Sequence, residues 1–459
     1  MEKLFYDFSE TSGKIKPMNC VNNGPTEPGV RKVKTNFEYY KAAKFPYARN
    51  HDASFYTPYG GGGEHLVDVH RIFKNFDADE NNPESYIFEP TDQYLQTTLD
   101  AGTRIFYRLG ASIEHRYKYG TRVPKDMAKW ARICEHIIMH YTEGWANGFH
   151  YDIEYWEIWN EPDCLNADGS NPCWQGTWDE FIDLYEIAAK HLKSRFPHLK
   201  IGGPAFATPE PYEFKDQFLK AVKDRNIPFD FYSYHCYGKH VDEITDRIYS
   251  AQKELDTYGL SGTPTILNEW NYVRGWVADE WDYSLKTEKG LKGASFVAGA
   301  MCEGQANPLD MLMYYDARPC GMNGIFEAGT FLPLKPYYAF VLFNNLAELG
   351  NYVKCDSKIK NVYSCAAKDG NSAGIMLTYF DENDDGFHKD MPISDKEKEV
   401  CIEIKNPTAS KKFRIEYYVT DEEHSNELFK EEISDADTAQ IKLNMSIFAL
   451  YYIKIVPAE

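Results

Sequence analysis

From about residue 17 to about residue 347 the chain repeats one pattern: a short β-forming run, then a longer stretch with apolar residues at helical spacing. Strands separated by helices pair in parallel, so the pattern confines this region to a parallel sheet covered by helices. Eight runs fit: Pro17 to Asn22, Phe45 to Asn50, Thr103 to Gly110, Ile153 to Glu161, Leu199 to Pro204, Phe229 to His235, Pro264 to Glu269 and Asp310 to Asp316. Eight such units predict a closed (β/α)8 TIM barrel with its helices outside. The candidate helices are Thr91 to Ala101, Lys125 to Tyr141, Trp178 to Arg195, Glu213 to Arg225, Asp242 to Tyr258, Lys286 to Cys302 and Pro336 to Leu349. The apolar stripe is plain in Trp130, Cys134, Ile137 and Tyr141, and in Phe181, Leu184, Tyr185, Ala188 and Leu192.

After about residue 350 the pattern changes to short alternating segments, such as Gly374 to Phe380 and Lys412 to Val419, separated by Asp, Asn and Gly clusters. Alternation with frequent turns predicts an antiparallel β-sandwich. Lys3 to Phe8 alternates in the same way, so it is expected to join that sheet. The predicted division is a barrel over 17–347 and an accessory sandwich made of 1–16 with 348–459.

With 50 basic and 70 acidic residues among 459, the formal charge is −20. Such a surface repels polyanions and anionic lipid, so neither nucleic acid nor a membrane is expected as a partner. Hydrophobic residues at 43% supply a large core, which excludes a disordered chain. The ten cysteines are dispersed without one Cys-x-x-Cys pair, which excludes a zinc ribbon or a thioredoxin-type site. Met1 to Phe8 lacks the apolar stretch of a signal peptide, which points to a reducing cytoplasm and free thiols. Cys164 and Cys173 share one polar loop and would be the pair to join in an oxidising compartment.

A barrel of this kind carries its chemistry at the C-terminal ends of its strands. Two runs end in glutamate. The fourth, Tyr155-Trp156-Glu157-Ile158-Trp159-Asn160-Glu161-Pro162, stops at a proline that cannot continue the ladder, leaving Asn160 and Glu161 at the mouth. The seventh, Pro264-Thr265-Ile266-Leu267-Asn268-Glu269-Trp270-Asn271, places Glu269 at the end of its apolar run. Either glutamate alone reads first as an ordinary ion-paired residue; the two on strands four and seven of one barrel form a pair with a chemical use. Glu157 lies deeper in its strand and is expected in a buried ion pair.

These residues resemble the retaining glycoside hydrolases of the large clan of β/α-barrels, for which Asn160-Glu161-Pro162 is the acid/base signature. Gly148-Phe149-His150-Tyr151, Ile201-Gly202-Gly203-Pro204, Tyr234-His235-Cys236-Tyr237 and Leu267-Asn268-Glu269-Trp270, in that order, are similar to family 39, the β-xylosidase and α-L-iduronidase family. The resemblance implies that Glu161 is acid/base and Glu269 nucleophile in a double displacement that needs no cofactor and no metal. It also implies that Arg49 sits beside the nucleophile, that Asn160 bonds the sugar 2-hydroxyl, and that His235 and Tyr237 line the pocket and orient the nucleophile. Mutual repulsion and burial are expected to raise the pKa of Glu161, while its neighbours keep Glu269 charged. His51 and Asp52, after strand two, suit hydroxyl recognition, and Trp270 and Tyr237 offer flat faces for a sugar ring.

Several residues have plainer readings. His235 serves equally as a core histidine, Arg49 as a structural ion pair, His51-Asp52 as a polar loop, and Tyr237 and Trp270 as core filling. His136 and His140 are spaced like zinc ligands, but no His-Glu-x-x-His is present and they read as outer-face residues. Gly60 to Gly63 reads as a loop over the mouth, and Asp381 to Gly386 as a solvated turn.

The expected partner is a small carbohydrate or oligosaccharide, with β-xyloside favoured. The alternatives are another glycoside containing arabinose, galactose, glucose or a uronic acid, or a non-catalytic carbohydrate-binding protein on the same scaffold. A uronic acid would call for extra cations, for which only Arg49 and Arg274 are near. The long segments Thr57 to Glu89 and Asp163 to Gly176 suggest a walled pocket and exo action. Trp174, Trp276 and Trp281 are candidates for a subsite or for an interface in a homo-oligomer.

Overall fold

The computed structural model describes residues 2–26, 34–51, 66–114, 118–208, 213–322, 324–355, 357–382, 395–410 and 412–458. Eight strands close into a barrel in chain order: Cys20–Asn22, Tyr47–Asn50, Arg104–Leu109, Tyr155–Ile158, Lys200–Phe206, Tyr232–Gly238, Thr265–Tyr272 and Met311–Tyr314. Every neighbouring pair is parallel. All eight expected runs therefore carry a barrel strand, with bounds that shift by a few residues.

The helices form where sequence and capping agree. Trp178–Arg195 opens on a capping box, Thr177 accepting from the Glu180 N–H while the Glu180 carboxylate accepts from the Thr177 N–H, and buries Phe181, Leu184, Tyr185, Ala188 and Leu192. Met127–Thr142 is capped by Asp126. The expected helix Lys286 to Cys302 is instead two, Ala278–Thr287 and Leu291–Ala306, broken around Gly290. The break is tight: a Cβ on Gly293 would lie 2.5 Å from the Thr287 carbonyl oxygen, so the turn packs directly on the next helix. Short helices at Phe37–Ala43 and Val69–Ile72 were not expected, being too brief to show a stripe.

Beyond the barrel, six strands form an antiparallel sheet in the order Asn351–Val353, Val362–Lys368, Ala373–Tyr379, Leu450–Pro457, Phe413–Thr420, Ser425–Ser434. A second sheet has Glu2–Asp7, Glu397–Lys405 and Thr438–Ser446. Its Glu2–Asp7 edge pairs in parallel with Glu397–Lys405, an exception to the antiparallel pattern. Leu4, Tyr6, Phe8, Ile375, Leu377, Ile402, Ile404, Ile453 and Ile455 fill the space between the sheets.

Helix Leu291–Ala306 is buried on nearly all sides, so it is apolar all round. It lies between the barrel and the six-stranded sheet. Its few polar side chains are bonded: Ser295 Oγ is 2.6 Å from Thr378 Oγ1, and Gln305 accepts from the Lys16 N–H at 2.7 Å. Among the described residues no helix is long and apolar enough to cross a membrane.

Candidate active site

Both glutamates are aimed into the barrel mouth by irregular backbone. Strand four stops at Ile158, after which the Trp159 N–H donates to Leu109 O and the Glu161 N–H to Ala205 O, each at 2.9 Å. Trp159 and Glu161 have φ of 79° and 48°, a left-handed conformation that costs a non-glycine residue about 1–3 kcal/mol. The surroundings hold them there. The Trp159 indole N–H donates to Cys173 O at 2.9 Å, and the ring fills the space over Gly110, where a Cβ would come within 2.7 Å of it.

On strand seven the register slips: Tyr234 pairs with Leu267, but His235 with Glu269. The extra residue is Asn268, which donates to the Glu157 carboxylate inside the barrel. The bulge thus turns two consecutive side chains, Asn268 and Glu269, toward the same interior.

Arg49, fully buried, ties the floor of the site to its mouth. Its Nε donates to Glu157 at 2.7 Å, Nη1 to Glu269 at 2.7 Å and to Asn22 at 3.1 Å, and Nη2 to Asn160 Oδ1 at 2.7 Å. Glu157 also accepts from Ser233 Oγ at 2.6 Å, which makes it the buried, fully partnered ion pair expected of it. Glu269 accepts its second bond from the Tyr237 hydroxyl at 2.9 Å. With its amide oxygen committed to Arg49, Asn160 has only its NH2 group left to offer a ligand.

Among the described residues no lysine or arginine is in hydrogen-bond contact with Glu161. His235 Nδ1 lies 2.7 Å from its Oε1 and 3.5 Å from Glu269 Oε2, so the histidine is bonded to Glu161 and not, as expected, to Glu269. Burial, followed by the charge of Asp163, pushes the Glu161 carboxyl up to about 8. Asp163 is the leading repelling charge at Glu161, while repulsion between the two glutamates shows at Glu269, which the charge of Glu161 raises. Asp163 is fixed by the N–H groups of Ala207 at 2.9 Å and Thr208 at 3.2 Å and by the Thr208 hydroxyl at 2.7 Å. Burial also raises Glu269, opposed by His235, by Arg49 and by the Tyr237 bond. His235 itself is lowered to about 4, by burial first, so it is neutral at neutral pH and Arg49 is the standing positive charge beside Glu269.

The other expected residues are distributed unevenly. His51 is at the mouth: its Nδ1 accepts from Arg108 Nε at 3.1 Å, which places the ring proton on Nε2, 3.8 Å from Glu269 and 3.2 Å from Ser112 Oγ. Asp52 and Gly60 to Gly63 lie outside the described residues. Trp270 is not a sugar platform, because its side chain turns outward from the barrel and is fully buried against Tyr314 and Phe296. Trp174 is likewise core, edge-on to Trp159 and Phe181.

Trp276 is 54% exposed, packs edge-on to Tyr237 at 5.1 Å and stacks on Trp281 at 5.3 Å. Arg274 is committed to Glu382 at 2.9 Å, which also binds Lys292 at 3.1 Å and the Tyr272 hydroxyl at 3.0 Å. Glu382 is therefore a buried joint between barrel and sheet and not a solvated turn; Asn383 to Gly386 lie outside the described residues. His136 and His140 are buried and not outer-face, bonded to Arg132 O at 2.8 Å and Trp145 O at 2.8 Å.

Sequence reasoning missed Asp163, Ser233 and Asn268. The available signal was position: Asp163 follows Glu161 and Ser233 precedes His235 by two residues each, and Asn268 adjoins Glu269.

One oxygen of Glu161, one of Glu269 and one His235 nitrogen lie within 4.8 Å of one another. The two carboxyl groups stand in unlike surroundings: Glu161 is raised by burial and by Asp163, and Glu269 is bonded by Arg49 and Tyr237. Two groups among the described residues have a spacing that could hold a metal ion, this one and Glu161 with Cys164 and Cys173.

The chain is 29% identical to the β-xylosidase of Geobacillus stearothermophilus over 367 residues, 72% of this chain and 69% of that protein. In structure it is similar to a glucosidase from Croceicoccus marinus, with a TM-score of 0.80, 22% identity and all of both chains covered. A monomeric β-xylosidase from Caulobacter crescentus CB15 covers both chains fully at a TM-score of 0.72 and 15% identity. These structural likenesses establish the shared fold. The profile of Glycosyl hydrolases family 39 matches residues 20–279, more than half of the chain, and the chain belongs to that family of glycoside hydrolases.

Proposed function

We propose that this protein is a retaining, exo-acting β-xylosidase in which Glu161 is the acid/base and Glu269 the nucleophile. The observation that carries the reading is the approach of the two carboxyl groups to within 4.8 Å in unlike surroundings. Retaining hydrolases hold their carboxyls about 5–5.5 Å apart and inverting ones about 6.5–9.5 Å, and the short gap leaves no room for an attacking water between them.

In the first step Glu269 attacks the anomeric carbon as the glycosidic bond breaks, and the Glu161 proton passes to the departing oxygen. In the tautomer with its proton on Nδ1, His235 donates to Oε1 and Oε2 is the oxygen that carries the acid proton. Arg49 and Tyr237 hold the Glu269 carboxylate in the attacking orientation, and the Asn160 amide faces the 2-hydroxyl, whose bond strengthens as the ring gains oxocarbenium character. In the second step Glu161 takes a proton from water, which attacks the glycosyl ester and releases the sugar with its configuration retained.

The β-xylosidase relative supports the choice of sugar. A uronic acid is disfavoured because Arg49 and Arg274, the cations considered for it, are both engaged with carboxylates. The Asp163 to Gly176 segment brings Cys173 to 4.0 Å from Glu161, which supports a walled pocket and exo action. The exposed Trp276, backed by the half-buried Trp281 and joined through Tyr237 to Glu269, supplies the flat face expected of a leaving-group subsite.

Nitrophenyl glycosides and xylobiose, hydrolysed by wild type and Glu269→Gln and followed by NMR, test this. Expected are β-xylose as first product and a rate lower by roughly 10^4-fold or more in the variant. The α-anomer as first product, or a variant as active as wild type, overturns the mechanism; a rate confined to another sugar overturns the substrate.

A further inference from the structure

Glu161 is bordered by two thiols that the proposed mechanism does not use. Cys164 follows it by three residues, in a turn closed by the Cys164 N–H donating to Glu161 O at 3.1 Å. Cys173 is returned to the same place by a pinned loop. Its N–H donates to Asn171 Oδ1 at 2.8 Å, Asn171 Nδ2 donates to Pro162 O at 2.7 Å, and its carbonyl accepts from the Trp159 indole. One Glu161 oxygen and both Sγ atoms consequently lie within 4.8 Å of one another. Cys173 is buried and Cys164 partly exposed, so the cluster is preformed and open to solvent on one side.

Two sulfurs and a carboxylate at this spacing suit a tetrahedral ion with soft-ligand affinity, and not magnesium or calcium, which demand oxygen. We propose that Glu161, Cys164 and Cys173 form a binding site for a thiophilic divalent cation of the zinc class, and that its occupation stops hydrolysis by tying up the acid/base carboxyl. The inhibitory half rests on the role proposed for Glu161. Each thiol binds as its thiolate and Glu161 as its carboxylate, so the two thiol protons and the Glu161 proton pass to water; a water takes the fourth position; nothing is oxidised or reduced. His235, bonded to Oε1, leaves Oε2 to the ion.

The test titrates reduced, chelator-treated full-length protein with Cd2+, following the ultraviolet thiolate-to-cadmium absorption and hydrolysis of the best substrate in parallel. Wild type is expected to gain the band as it loses activity, and EDTA to reverse both. Cys164→Ser is expected to keep its metal-free rate and to need at least about tenfold more Cd2+ for the same inhibition. Cys164→Ala serves equally if the serine variant melts early. Equal inhibition of variant and wild type, or no band at saturating Cd2+, overturns the site. A band that depends on Cys164 while activity is untouched overturns the role of Glu161 instead.

Discussion

Glu157 lies on strand four and Glu161 three residues past that strand's end, and the barrel treats them in opposite ways. Glu157, on the floor, accepts from Arg49, Ser233 and Asn268 and has no solvent exposure. Glu161, at the mouth, has one histidine, a nearby aspartate and a carboxyl pushed up to about 8. The same side chain is bound as an ion-pair partner where donors converge on it and has its carboxyl pushed up where they do not. Depth in the barrel decides which donors reach it.

Paired substitutions sharpen this contrast most. Glu161→Gln is expected to lower kcat/KM for xylobiose by about 10^2–10^4-fold with little change in unfolding midpoint, since no buried cation loses its partner. Azide should restore turnover of activated aryl xylosides in Glu161→Ala. Glu157→Gln is expected to act first on stability, by about 3 kcal/mol in denaturant unfolding, because half of the compensation of buried Arg49 is removed. Equal midpoints for Glu157→Gln and wild type would break the comparison.

The next effect is on pH. Glu161 must be protonated to donate, so kcat/KM for wild type is expected to fall as pH rises through about 8. Asp163 raises that value by its negative charge; Asp163→Asn therefore moves the basic limb to lower pH. An unmoved limb would assign the shift to burial alone. The smallest effect is expected at the rim. Trp276→Ala should raise KM for xylobiose about two- to tenfold, as loss of one aromatic contact allows, and leave the basic limb in place.

The eight barrel strands were legible because each is bounded by turn chemistry and followed by a stripe, and Glu161 and Glu269 because Pro162 and the end of an apolar run marked strand ends. What was hidden depends on contacts between distant segments. The bulge at Asn268 breaks the two-residue alternation, so no reading of strand seven alone shows Glu269 facing in and Trp270 facing out. The bond from His235 goes to Glu161 because left-handed backbone lifts Glu161 out of its strand. Glu382 looked solvated among its acidic neighbours because Arg274 and Lys292, which neutralise it, come from some ninety residues and more upstream.

The parallel pairing of Glu2–Asp7 with Glu397–Lys405 bears on how the chain is made. Glu2–Asp7 leaves the ribosome about 390 residues ahead of its partner, so at about 5–20 residues per second it waits some 20–80 s with an unsatisfied edge. The barrel, whose closing pair joins Cys20–Asn22 to Met311–Tyr314, has all its strands made before residue 397 and is free to assemble during that wait. Closure of the small sheet then follows assembly of the barrel, and a nascent chain stalled before residue 397 would expose that edge to any other strand within reach.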